Sequence, residues 1–93
     1  MAPSDERLWE RAQELRASPK NVRASEAVTL LESAGFQRNK KGGNVHVFTH
    51  PVYPDLPPFR VPFHNPHLKL KSGVVKMVAQ RIEEVLERRS DKL

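Results

Sequence analysis

Cysteine is absent from the 93 residues, so disulfides and cysteine-based zinc sites are excluded at once. Negative charge is scarce in the middle of the chain, where Asp55 is the sole acid between Phe36 and Lys76. Paired carboxylates for acid–base chemistry are therefore missing from that region, and no Ser-His-Asp grouping, phosphate-binding P-loop or dinucleotide fingerprint is present. No apolar run approaches the length needed to span a bilayer, and the opening Met1-Ala2-Pro3-Ser4-Asp5-Glu6 has no apolar leader core. A cytoplasmic location without membrane attachment is the resulting expectation.

Metal is disfavoured by spacing. His46 and His50 sit four apart in a strand-like stretch, roughly 13 Å at about 3.3 Å per residue, and cannot share one ion. His64 and His67 form a loop pair with no carboxylate or cysteine nearby. Neither a metal site nor a small-molecule cofactor is expected.

What is present is positive charge, unevenly placed. Residues 1–35 carry five basic and six acidic side chains, and residues 77–93 carry four of each. Residues 36–76 carry seven basic side chains (Arg38, Lys40, Lys41, Arg60, Lys69, Lys71, Lys76) against Asp55, and so hold the whole excess of the +5 chain. A concentrated excess of this kind is the footprint expected for a polyanion such as RNA.

The apolar spacing predicts a helix over Asp5–Ala17, capped by Ser4 or Asp5 and ended at Ser18-Pro19, with Trp9 as a packing anchor. This helix either packs on the domain, docks a partner or is partly mobile. A second helix is predicted from Ala24 to Ala34, with Ala27, Leu30, Leu31 and Ala34 on one face and Gly35 as its stop. Phe36–Lys40 and Val45–His50 read as a hairpin joined at Gly42-Gly43-Asn44, Phe59–Val61 as a third strand, and Gly73–Arg88 as a last helix with Ser72 as N-cap. Six of the eight prolines fall between Pro51 and Pro66, making the segment before the third strand an ordered but irregular loop. The expected class is α+β: an α-β-β-β-α core of a three-stranded antiparallel sheet with two helices on one face, plus an N-terminal helix. The division expected is residues 1–22 as a helical extension and 23–93 as the domain.

In the strand at 45–50, period-two alternation sets His46, Phe48 and His50 on one face and Val45, Val47 and Thr49 on the other. An imidazole with a pKa near its ordinary value of about 6.5 exchanges protons at neutral pH. Beside Lys40, Lys41 and Arg60 its natural substrate is a phosphodiester, and RNA supplies its own nucleophile in the 2′-hydroxyl.

Four stretches in fixed order carry a family resemblance over residues 23–86. They are Leu30-Leu31-Glu32-Ser33-Ala34-Gly35-Phe36; Lys41-Gly42-Gly43 leading to His46-Val47-Phe48-Thr49-His50-Pro51; Val61-Pro62-Phe63-His64; and Lys71-Ser72-Gly73 opening an amphipathic helix. In these the chain resembles the HicA family of toxins from HicA–HicB toxin–antitoxin modules. Residues 17–23 resemble the lead-in of a longer subgroup with an extra N-terminal helix. The resemblance implies a double-stranded-RNA-binding-domain-like fold, metal-free mRNA cleavage by a strand histidine, and an HicB-like antitoxin as protein partner. His46 would then be the general acid or base, with Lys40, Lys41, Arg60, His64 and Lys71 holding phosphate.

One departure separates two readings. The family places its catalytic histidine after Gly-Ser or Gly-Gly at the head of this strand. Counting back from Phe48-Thr49-His50-Pro51 puts Val45 there, one residue from His46 and on the opposite face. A bulge at Asn44-Val45 would instead bring His46 into the catalytic place. The first alignment implies a weakened or inactive RNA-binding module, the second an mRNA interferase. A domain whose basic surface meets only an acidic protein is a third reading.

Overall fold

In the computed structural model of the chain, which describes residues 4–40, 45–63 and 65–91, the first helix, α1 (Asp5–Ala17), starts at Ser4, whose Oγ accepts the Arg7 N–H at 3.3 Å. Of the two expected caps it is Ser4 that is used. The second helix, α2 (Ala24–Ser33), has Arg23 at its N-cap, with no side chain to offer its first amides. Backbone from the far end of the chain does this job: Ala24 N–H donates to Leu68 O and Ser25 N–H to Pro66 O, both at 2.9 Å. The segment before the last helix is thereby fastened to the start of α2, and Leu70 N–H donates to Val22 O at 2.8 Å beside it.

Three short strands follow, β1 (Gln37–Lys40), β2 (Val45–Thr49) and β3 (Phe59–Pro62), in an antiparallel sheet of order β1-β2-β3. Partners run one for one, from Gln37↔Thr49 to Lys40↔His46 and from Val45↔Pro62 to Phe48↔Phe59. The expected Gly42-Gly43-Asn44 turn lies outside the described residues. Alternation then decides the faces. Phe48 and Val61 are fully buried on the inner face, and Phe59 packs on Phe48 with ring centroids 5.6 Å apart.

The last helix, α3 (Ser72–Asp91), supplies Val75, Val78, Ile82 and Val85 to the same core, all with no exposed surface. Burying each such side chain is worth about 1.5–3 kcal/mol. Ser72 is the first residue of α3, and the carbonyl of Lys71 accepts the Val75 N–H at 3.1 Å, so the helix begins one residue earlier than the sequence suggests. It also ends later, because Arg89 is tied down: it donates to Asp5 at 2.8 Å and to Ala34 O at 2.8 Å.

Helix α1 lies on α3, burying Leu8, Ala12 and Leu15 in the common core. Of the three roles open to this helix, packing on the domain is the one observed. Trp9, expected as an anchor, is 38% exposed instead, since the buried stripe of α1 runs through Leu8, Ala12 and Leu15. The polar seam centres on Glu83, whose carboxylate is only 8% exposed and accepts from Arg16 at 2.8 Å and from Gln13. Removing it leaves two donors at a half-closed interface without their acceptor. Glu83→Ala is expected to lower stability by about 1–3 kcal/mol, read as an earlier urea midpoint.

The proline-rich loop 51–58 is held by buried Tyr53 and Leu56 and by a 2.6 Å contact from Arg88 to Asp55. The hydrogen bond from Arg88 holds the Asp55 carboxyl below its ordinary value of 3.8. A depressed carboxylate favours the fold above that ordinary value, and its contribution fades as pH falls below it. Among the described residues the protein is thus α+β, with three helices and a three-stranded antiparallel sheet that is packed on one face and open on the other.

Candidate nucleic-acid interface

The open face of the sheet consists of Gln37 and Asn39 from β1, Val45, Val47 and Thr49 from β2, and Arg60 and Pro62 from β3, as the pairing register dictates. The β2 members are half-buried, whereas Gln37, Asn39, Arg60 and Pro62 are exposed. Val45, Val47, Pro58 and Arg60 line a shallow groove of about 480 Å³ across it. Arg60 pairs directly with Val47, and Val45 stands diagonally from it at a separation long side chains bridge, about 7–8 Å. The arrangement presents one guanidinium beside an aliphatic floor, which suits a phosphate with its attached sugar or base.

His46 is not part of this surface. It lies on the inner face, 8% exposed, with its ring stacked on Phe63 at 4.0 Å between centroids and 9° between planes. The physical reason is the two-residue period: the uninterrupted β2–β3 ladder ties His46 to the face of fully buried Phe48 and opposite Val61. Val45↔Pro62 remains a regular pair, so the bulge that would have turned His46 outward is not formed within β2. The expected cluster of His46 with Arg60 is therefore replaced by a division, with the imidazole beneath the sheet and the guanidinium above it.

Of the other expected phosphate-holding groups, Lys71 is the one whose side chain lies among the described residues. Lys40 pairs in register with His46, which sets its backbone at an inner-face position; its side chain lies outside the described residues, as do Lys41 and His64. Lys71 is exposed beyond the end of β3, where with Lys69 it rims a pocket of about 310 Å³ floored by Phe63, Leu68 and Val74. Lys69 is already engaged by Asn21 Oδ1 at 2.9 Å. Arg38 is exposed on edge strand β1 in register with Phe48. Among the described residues, the basic segment thus surrounds the open face, and Arg60 is the charged residue on it.

His50 is a structural group. It is 3% exposed; its Nδ1 accepts the Val52 N–H at 3.2 Å, which leaves the proton on Nε2 to be donated to Ala34 O at 3.0 Å. Phe36 meets its ring edge-on at 5.0 Å. The strand alternation predicts His50 on the same face as His46, and both are inward. What it missed is the groove itself. Pro58 belongs to a loop whose path no local pattern specifies, and Val45 and Val47 look like ordinary strand residues until their face is known to be uncovered. Comparison of the chain with protein-family models, with curated proteins and with solved structures finds no match.

Proposed function

We propose that the chain is an HicA-like RNA-binding module with a double-stranded-RNA-binding-domain-like arrangement, binding RNA across the open sheet face without cleaving it. One observation carries this reading. The position at which the family resemblance expects the catalytic histidine holds Val45, which faces outward beside Arg60, while His46 faces the core. A metal-free ribonuclease of this plan needs an imidazole within hydrogen-bond reach of the 2′-hydroxyl, and the open face carries none among its described residues. Binding requires less. Arg60 meets a phosphate, the Val45–Val47–Pro58 floor meets sugar or base, and the lysines and arginine around the sheet supply long-range attraction. The same resemblance makes an HicB-like antitoxin the natural protein partner, its acidic groups complementing the basic middle segment.

The test is binding and cleavage of labelled single-stranded RNA by the purified chain. Wild type is expected to bind with steep salt dependence and to leave the RNA intact. Arg60→Ala should weaken binding and flatten the slope of log affinity against log salt by about 0.7, the loss of one phosphate contact. EDTA-resistant cleavage by wild type that disappears in His46→Ala would overturn the non-cleaving reading and restore the toxin nuclease in its place. Absence of RNA binding at low salt would reject the nucleic-acid reading altogether.

A further inference from the structure

The α1–α3 seam opens at one end into a groove of about 320 Å³ lined by Asp5, Glu6 and Trp9 from α1 and by Leu86 and Glu87 from α3. Its composition is opposite to that of the molecule as a whole. The chain is +5, yet this groove brings together three carboxylates. Asp5 is already paired with Arg89 at 2.8 Å; Glu6 and Glu87 are exposed and take part in no ion pair among the described residues. The chain's single tryptophan, 38% exposed, lines the same groove, together with a Leu86 that is 6% exposed. A large ring left partly wet in a groove with two carboxylates that have no ion pair among the described residues matches the needs of one kind of side chain: an apolar stem to cover the ring and a cationic head to meet the acids.

We propose that this groove is a docking site for a cationic peptide segment of a partner protein, an arginine or lysine laying its stem on Trp9 and its charge between Glu6 and Glu87. Charge complementarity selects the occupant. Nucleic acid and anionic lipid surfaces are repelled by the same carboxylates, and an uncharged apolar segment would bury Glu6 and Glu87 without compensation. The groove shares no lining residue with the open sheet face, so both surfaces can be occupied together. A chain built this way joins a polyanion on one side to a basic partner on the other.

Trp9 serves as the reporter, because its emission arises from the groove alone. The full chain is titrated with an acetylated nona-arginine peptide, with nona-glutamate as control, and tryptophan emission is followed. A saturable change with nona-arginine only is expected, with a dissociation constant at least tenfold weaker in the Glu6→Gln/Glu87→Gln variant and unchanged in Arg60→Ala. Both glutamates are exposed and glutamine matches their shape, so the helical circular dichroism of the variant should equal that of wild type. No saturable change, or equal affinity in the double variant, overturns the proposal. Sedimentation completes the test: a concentration-dependent dimer that the same double variant abolishes would assign the groove to a second copy of this chain and overturn the partner assignment.

Discussion

Val45→His is expected to give the proposed RNA-binding face metal-independent ribonuclease activity, raising cleavage at least about 10²-fold over wild type, the lower end of what a positioned acid–base group contributes. The substitution sets an imidazole on the outer face of β2, two residues from Val47 and diagonal to Arg60. Val45 is half-buried and diagonal to Arg60, whose cation disfavours a second positive charge beside it, so the ring that replaces Val45 is available in its neutral form. The neutral ring takes the proton of the 2′-hydroxyl, that oxygen attacks phosphorus, and the 5′-oxygen leaves with a proton returned by the imidazolium or by water. The products are a 2′,3′-cyclic phosphate and a free 5′-hydroxyl. Arg60 is placed to stabilise the charge that builds on the phosphoryl oxygens.

Three measurements make this specific. Cleavage of labelled RNA should survive EDTA, its rate should rise with pH on the acid side as the new imidazole loses its proton, and Arg60→Ala in the Val45→His background should remove most of it. Val45→Gln is the control that adds a polar group without a titrating one. If Val45→His binds RNA and cleaves no faster than Val45→Gln, the outer face of β2 is not the place where this fold does chemistry.

The elements were legible because their signals are local. Leu30, Leu31 and Ala34 recur at helical spacing, Ser18-Pro19 ends α1, and the alternation from Val45 to His50 defines a strand before any partner is known. Face assignment within β2 was legible for the same reason, since period two ties His46 to Phe48. Which face meets the helices is not a local property. It depends on Phe48 and Val61 joining the same buried core as Val78 and Ile82 of α3, and a histidine beside lysines in sequence gave no sign that the fold would separate His46 from Arg60 by the thickness of that sheet. Among the described residues the strand arginines divide for a related reason: Arg38 is in phase with Phe48 on the inner face and Arg60 with Val47 on the outer one. Trp9 is the reverse case. By residue type it belongs inside, but the buried stripe of α1 passes one residue away.

Gly35→Ala is expected to be among the most damaging single substitutions outside the apolar core. Gly35 follows α2 at φ +100°, and the turn around it closes the helix with Phe36 N–H donating to Leu31 O and Gly35 N–H donating to Glu32 O, each at 3.0 Å. This is a Schellman closure, whose C′ position suits glycine because any Cβ there crowds the backbone. Holding a non-glycine residue in that region costs about 1–2 kcal/mol. A second cost is specific to this molecule. A Cβ on Gly35 would stand 2.7 Å from His50 Nε2 and 3.2 Å from Arg89 Nη2, both of which donate to the carbonyl of Ala34. His50 is buried between Phe36 and Tyr53, with its other nitrogen held by Val52 N–H, so the ring has little room to retreat. Displacing it forfeits a buried hydrogen bond, a further loss of about 1–3 kcal/mol where a donor is left unpaired. Together these give a destabilisation of about 2–5 kcal/mol, and a domain of this size loses about 4–8 °C of melting temperature per kcal/mol. The contact also predicts how the cost divides. His50→Ala alone should destabilise by opening a cavity and leaving Ala34 O with one donor fewer. In the Gly35→Ala background the same change removes the clash, so the double variant should be more stable than the sum of the two losses predicts. Thermal and urea denaturation of the four proteins measures that coupling. Strict additivity would show that Gly35 is required for its backbone conformation alone and that the approach of His50 carries no energetic weight.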